Sequence, residues 1–158
     1  MAYKKTIVRR GKVKTWEERF KKVLQKHHGH FAKKIFHRLM KKTSTLKASL
    51  KKRSKEYEVE FNVTLSEIRN LTLSQYGKQC RYCSNKMDVR NMVCDHIYPL
   101  SMGGASILSN LQMICNSCNT KKGPLTHEMY RDLLAFLEGK AELREYVLRK
   151  LAKGDVFN

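Results

Sequence analysis

The sequence predicts an α+β fold: a basic, mainly helical N-terminal arm over residues 1–56, then a compact cysteine-bearing module over residues 57–158. Three observations predict it. Of a formal charge of +19, residues 1–60 carry +15 and residues 61–158 only +4. All five cysteines lie in the second part. Apolar residues recur at helical spacing in the arm, and at both strand and helical spacing in the module. The whole chain, 158 residues, is about the length of one ordinary domain, which argues against a multidomain machine.

Composition excludes some functions. No apolar stretch approaches the roughly 20 residues that span a bilayer. Lys4 and Lys5 are followed by no apolar segment of the kind found in secretory signals, so the expected location is cytoplasmic, not secreted. Positive charge on this scale points first to nucleic acid and second to an anionic membrane surface.

The first helix is expected after Thr15, because Thr15-Trp16-Glu17-Glu18 has the capping-box pattern. Phe20, Val23/Leu24, Phe31, Ile35 and Leu39 then follow at helical steps and read as one packing face. Gly29, set among His27, His28 and His30, marks an expected break, and Thr43-Ser44-Thr45 a second boundary. These histidines and His37 have no cysteine nearby and read as exposed helix residues. Among the basic residues, Arg9, Arg10, Lys33, Lys34, Lys41, Lys42, Lys51, Lys52 and Arg53 are the expected phosphate contacts.

Tyr57, Val59, Phe61 and Val63 alternate with polar residues and predict a strand. Thr64-Leu65-Ser66-Glu67 repeats the capping-box pattern and starts a helix that Gly77 stops.

Cys80-Arg-Tyr-Cys83 and Cys115-Asn-Ser-Cys118 are two CxxC pairs with 31 residues between them. Each turn directs two thiolates at one ion, and two turns complete a tetrahedral, closed zinc shell. In a reducing compartment disulfides are the weaker reading. The interval exceeds the usual 15–20 residues, so the staple encloses a unit of its own. Cys94, the fifth, follows Met92-Val93 and is expected to be buried.

The enclosed segment carries Asp95-His96-Ile-Tyr-Pro-Leu-Ser-Met-Gly103-Gly104, then Asn110-Leu-Gln, then Cys115-Asn-Ser-Cys118-Asn119-Thr-Lys-Lys-Gly123. In this order and at this spacing, residues 80–123 resemble the HNH endonucleases of the zinc-stapled type, and the chain's small size resembles freestanding phage or mobile-element members, homing enzymes among them. The resemblance implies a ββα-metal (His-Me finger) core. Residues 89–97 would form its first strand, Gly103-Gly104 the loop, residues 111–114 the second strand and residues 115–122 the helix.

It also implies roles. Asp95 would bind the catalytic divalent ion through its carboxylate. His96 would be the general base that activates water, Asn110 would bond across the loop and orient His96, and Asn119 would be the second metal ligand. Asn at this last position is a recognised variant of the motif, and an oxygen-only set suits Mg²⁺ or Mn²⁺. In an ideal strand Asp95 and His96 point to opposite faces, so both serve one phosphate only where the strand ends or twists, as it does near Pro99. Lys121 and Lys122 either grip neighbouring phosphates or complement the helix dipole. His127 lies beyond Gly123-Pro124 and starts the next helix.

Thr126 is expected to cap a helix bearing Met129, Leu133, Phe136 and Leu137 and ending at Gly139; Leu143, Tyr146, Val147 and Leu151 predict a last helix ending near Gly154. The expected function is a metal-dependent HNH endonuclease acting on double-stranded DNA as a monomer or homodimer, with the arm docking the duplex. The alternatives are a non-catalytic zinc-ribbon DNA-binding protein and a membrane-surface protein, the latter leaving residues 80–123 unexplained.

Overall fold

A computed structural model describes residues 16–154 of the chain. It divides into two compact units, and of the described residues 16–36 belong to the first and 37–154 to the second. The arm boundary expected at residue 56 coincides with the end of a helix.

In the first unit, α1 spans Trp16–His28, and its proposed cap Thr15 lies outside the described residues. Gly29, at φ 50°, opens a 3-10 turn over Gly29–Phe31. That turn re-phases the chain before α2 (Ala32–Glu56), so the apolar stripe does not run through it. Phe31, expected to pack, is 55% exposed.

Helix α2 runs for 25 residues without the boundary expected at residues 43–45. The hydroxyls there do not compete with the helix. Thr43 and Ser44 donate to the Met40 carbonyl, and Thr45 donates to that of Lys41, so each bonds back to the preceding turn. In the second unit Leu39, Thr43, Leu50 and Ser54 form its buried stripe at steps of four, seven and four. Two of the four are polar, which a hydrophobic pattern does not register.

The strand expected from Tyr57 is reduced to β1, Phe61–Asn62. The residues before it close α2: Glu58 takes a left-handed φ of 54°, its amide donates to Lys55 O, and Val59 N donates to Ser54 O. These are the bonds of a Schellman cap, so Tyr57 and Glu58 serve the helix and cannot extend a strand. Helix α3 (Leu65–Gln75) follows with the full capping box between Thr64 and Glu67.

The centre of the second unit is a ββα arrangement. Strand β2 (Met92–His96) pairs antiparallel with β4 (Leu111–Cys115), in a register from Met92 opposite Cys115 to His96 opposite Leu111. Between them β3 (Ser106–Ile107) runs parallel to β1. Helix α4 (Asn116–Lys122) starts directly after β4, capped by Cys115, and packs on both strands. Strand β2 and helix α4 lie within the ranges expected for them, and β4 runs one residue past its own, to Cys115.

Two glycines shape the loop between β2 and β4. Gly103 takes a φ of 87°, and a side-chain carbon on Gly104 would overlap the Tyr98 carbonyl. Gly104 N also donates to Pro99 O at 2.9 Å, so the turn closes backbone on backbone.

Helices α5 (His127–Phe136) and α6 (Ala141–Lys153) complete the unit, with Thr126 capping α5 as expected. Their inward faces are centred on Tyr130, Leu148 and Leu151, around which Tyr82, Leu125 and Leu134 pack. Met129, Phe136, Leu143 and Tyr146, expected to pack, are exposed. The phase is set by Tyr130, which meets the edge of Tyr82 at a centroid distance of 4.9 Å. No helix among the described residues is long and apolar enough to cross a membrane.

Candidate active site

The site is built where β2 ends. Met92, Cys94 and His96 alternate inward along it, while Asp95 is half-buried on the other face. Beyond His96 the chain leaves strand geometry, and a cavity of about 340 Å³ opens there. Asp95, His96, Asn119 and Arg53 all line it. The end of the strand therefore lets two neighbouring side chains serve one space.

Asp95 is held from the opposite strand and from α4. It faces Gln112 in the β2–β4 register, and Gln112 Nε2 donates to Asp95 Oδ2 at 2.9 Å. Lys122 Nζ lies 3.2 Å from Asp95 Oδ2, 3.3 Å from Oδ1, and donates to His96 O at 3.0 Å. Lys122 is only 1% exposed, which corrects its expected role: this ammonium is committed inside the fold and is not a surface grip on phosphate.

His96 is buried, and its Nε2 lies 2.8 Å from Ser106 Oγ. Burial, then the charges of Arg53 and Lys122, lower its pKa to about 4, so the imidazole is neutral at neutral pH. Asn110 bonds across the loop: its Oδ1 accepts from Tyr98 N at 2.8 Å, and its Nδ2 donates to Tyr98 O at 3.0 Å and Ala105 O at 2.8 Å. Its own carbonyl accepts from Ile97 N. Asn110 thus shapes the loop that carries Ser106, and Ser106 is the side chain that touches His96.

Asp95 and Asn119 line one cavity, and a carboxylate with an amide is a donor set that fits a hard divalent ion. The ion pair with Lys122 offsets part of the carboxylate's charge.

The four Sγ atoms of Cys80, Cys83, Cys115 and Cys118 lie within 4.8 Å of one another, the one such metal-competent cluster of His, Cys, Asp and Glu among the described residues. Cys83 and Cys115 sulfurs are 3.6 Å apart; tetrahedral zinc with bonds of about 2.3 Å requires about 3.8 Å. Burial and then the neighbouring sulfurs push the Cys118 thiol up, the crowding that a cation relieves. Cys94 stands apart, buried, with its thiol pushed up to about 12 by burial first.

Residues 80–125 match the HNH endonuclease family model. No curated protein and no solved structure gives a match. The HNH segment takes in both CxxC turns, Asp95, His96, Asn110 and Asn119, and leaves α1, α2 and α3 outside.

The expected phosphate contacts are dispersed. Arg9 and Arg10 lie outside the described residues. Lys33 and Lys34 are exposed in the first unit, and Lys41, Lys51, Lys52 and Arg53 are exposed on α2 in the second. Lys42 donates to Val89 O at 2.9 Å, Lys52 pairs with Glu56 at 3.6 Å, and Lys121 is half-buried. Among the described ones in the second unit, Arg53 alone lines the cavity beside the HNH residues.

Several participants escaped the sequence reading. Tyr57 lines the cavity. Tyr82 accepts from Gln112 Nε2 at 3.0 Å and lies 2.6 Å from His127 Nδ1, while Arg81 donates to Gln112 Oε1 at 3.3 Å, so the first CxxC turn abuts the support of Asp95. Gln112 was findable, since two antiparallel strands ending at His96 and starting at Leu111 place it opposite Asp95. Ser54 and Ser106 had no comparable signal.

Proposed function

We propose that this protein is a metal-dependent endonuclease that hydrolyses phosphodiester bonds in double-stranded DNA. The observation that carries the reading is the convergence of Asp95, His96 and Asn119 on one cavity within the HNH segment. The basic N-terminal part docks the duplex and the zinc-stapled part cuts it, the staple being a structural zinc on Cys80, Cys83, Cys115 and Cys118.

In this reading Arg53 attracts the phosphate, and the cavity admits it beside His96. The neutral imidazole takes a proton from the attacking water. The incoming phosphate brings negative charge next to Arg53 and Lys122, opposing the two cations that suppress protonation of His96. Gln112 and Lys122 keep the Asp95 carboxylate in place, and Asn110 keeps the loop closed. A hard divalent ion such as Mg²⁺ or Mn²⁺, held by Asp95 and Asn119, would supply charge stabilisation at the phosphoryl and leaving oxygens.

The test is incubation with supercoiled plasmid and Mg²⁺ or Mn²⁺, beside His96→Ala. Metal-dependent nicking is expected, with a loss of about 10²–10⁴-fold in the variant. Absence of nicking by the wild type on several substrates overturns the reading, and equal cleavage by the variant overturns the role of His96. One observation favours the second reading, a zinc-stapled DNA-binding protein without catalysis: the buried ammonium of Lys122 already pairs with Asp95 and offsets part of its charge. DNA binding without metal-dependent cleavage would select it.

A further inference from the structure

Helix α2 lies outside the HNH segment, yet its last turn is joined to the candidate base. Ser54 Oγ donates to Ser106 Oγ at 2.7 Å, and Ser106 Oγ is 2.8 Å from His96 Nε2. Ser54 and Ser106 are 1% and 0% exposed, so the hydroxyl pair from α2 and β3 behind His96 is sealed from bulk water. A buried hydroxyl on an imidazole nitrogen has few orientations open to it, and the ring has correspondingly few. Among the described residues Nε2 is the ring nitrogen with a protein partner; Nδ1 has none and is not among the sealed-in polar atoms, on a residue that lines the cavity.

We propose that Ser106, braced by Ser54, is the positioning residue for His96: it grips Nε2 and so presents Nδ1 to the attacking water. The inference rests on the endonuclease reading and deepens it. A hydroxyl oxygen has two lone pairs, so Ser106 Oγ can accept the Ser54 O–H and the His96 Nε2–H together while its own hydrogen turns away from both. With its hydrogen on Nε2, the imidazole keeps the Nδ1 lone pair for the water's proton. The reversed arrangement, Ser106 donating to Nε2, would put the hydrogen on Nδ1 and remove the acceptor from the cavity. The β1–β3 pairing supports the brace, since it joins Ser106 to Phe61, a few residues beyond Ser54. The consequence is that the basic helix is part of the catalytic apparatus as well as a docking surface.

The experiment pairs kinetics with ¹⁵N NMR of the imidazole in the full chain, zinc-loaded and without added Mg²⁺ or Mn²⁺. In the wild type the spectrum is expected to show the Nε2–H tautomer of His96. Ser106→Ala and Ser54→Ala are expected to mix the tautomers and to lower kcat about tenfold, the worth of roughly one hydrogen bond, with KM unchanged. Ser106→Thr, which keeps the hydroxyl, is expected to restore kcat relative to Ser106→Ala. A wild-type Nδ1–H tautomer, or alanine variants with unaltered kcat and unaltered spectra, overturns the proposal while leaving the nuclease reading standing. If the wild type does not nick DNA, the nuclease reading falls and the spectrum alone decides whether Ser106 holds Nε2. The wild-type spectrum requires no variant to fold.

Discussion

Lys122 and His96 carry the tightest constraints in the site, and both follow from burial. The Lys122 ammonium has no route to solvent and is satisfied by Asp95 and the His96 carbonyl. Lys122→Met keeps much of the volume but leaves the Asp95 carboxylate, with 11% side-chain exposure, without its counter-charge. A loss of about 3 kcal/mol in unfolding free energy is expected, read by urea titration. For His96 the folded-state pKa of about 4 lies below its ordinary 6.5. The unfolded chain therefore binds the proton more readily than the folded one. The stability due to a neutral His96 is complete above pH 6.5 and is lost as pH falls toward about 4. Melting temperatures across that window should fall more in the wild type than in His96→Asn; parallel curves would assign the acid sensitivity elsewhere.

Among the elements, the two CxxC turns hold the most together. Tyr82, between Cys80 and Cys83, packs on Tyr130 of α5 and bonds to Gln112 of β4, while Cys115 both ends β4 and caps α4. Zinc removal by a strong chelator should therefore loosen α4, α5 and the support of Asp95 as one unit. The expected readout is faster amide exchange over residues 80–136, with Ser substituted for Cys118 giving the same pattern; chelation that leaves exchange unchanged would refute a structural zinc. Much of this was legible in advance, because ligand spacing, capping boxes and strand alternation are local signals. The ββα order, the break at Gly29 and the caps at Thr64 and Thr126 all have such signals. Illegible were features decided by distant partners. Polar Thr43 and Ser54 lie on the buried stripe of α2, Lys122 turns inward to Asp95, and Tyr82 sets the rotation of α5. The expected strand at Tyr57 failed for a different reason, since a left-handed Glu58 is rarely anticipated without glycine.

For the whole molecule, the charge is unevenly placed, with +15 in the first 60 residues and the candidate chemistry in the rest. Docking and cutting should then respond to different variables. DNA affinity is expected to fall with a slope of about −5 or steeper in log K against log salt, as for about six phosphate contacts. Gln substituted at Lys33, Lys34 and Lys51 together should flatten that slope and leave the single-turnover nicking rate of saturated complexes unchanged. An unchanged slope would remove these lysines from the interface.

The dual position of Cys115 gives α4 a fixed angular phase. The clustered sulfurs of Cys115 and Cys118 set how the helix is rotated, and Asn119 follows one residue later, a little over one turn from Cys115. The direction in which Asn119 points is thus a matter of counting residues from a thiolate. One alanine inserted between Cys118 and Asn119 leaves both CxxC turns intact but swings the amide by about 100° around the axis. Such a protein should keep its zinc and lose its nicking, although every side chain of both sites is still present.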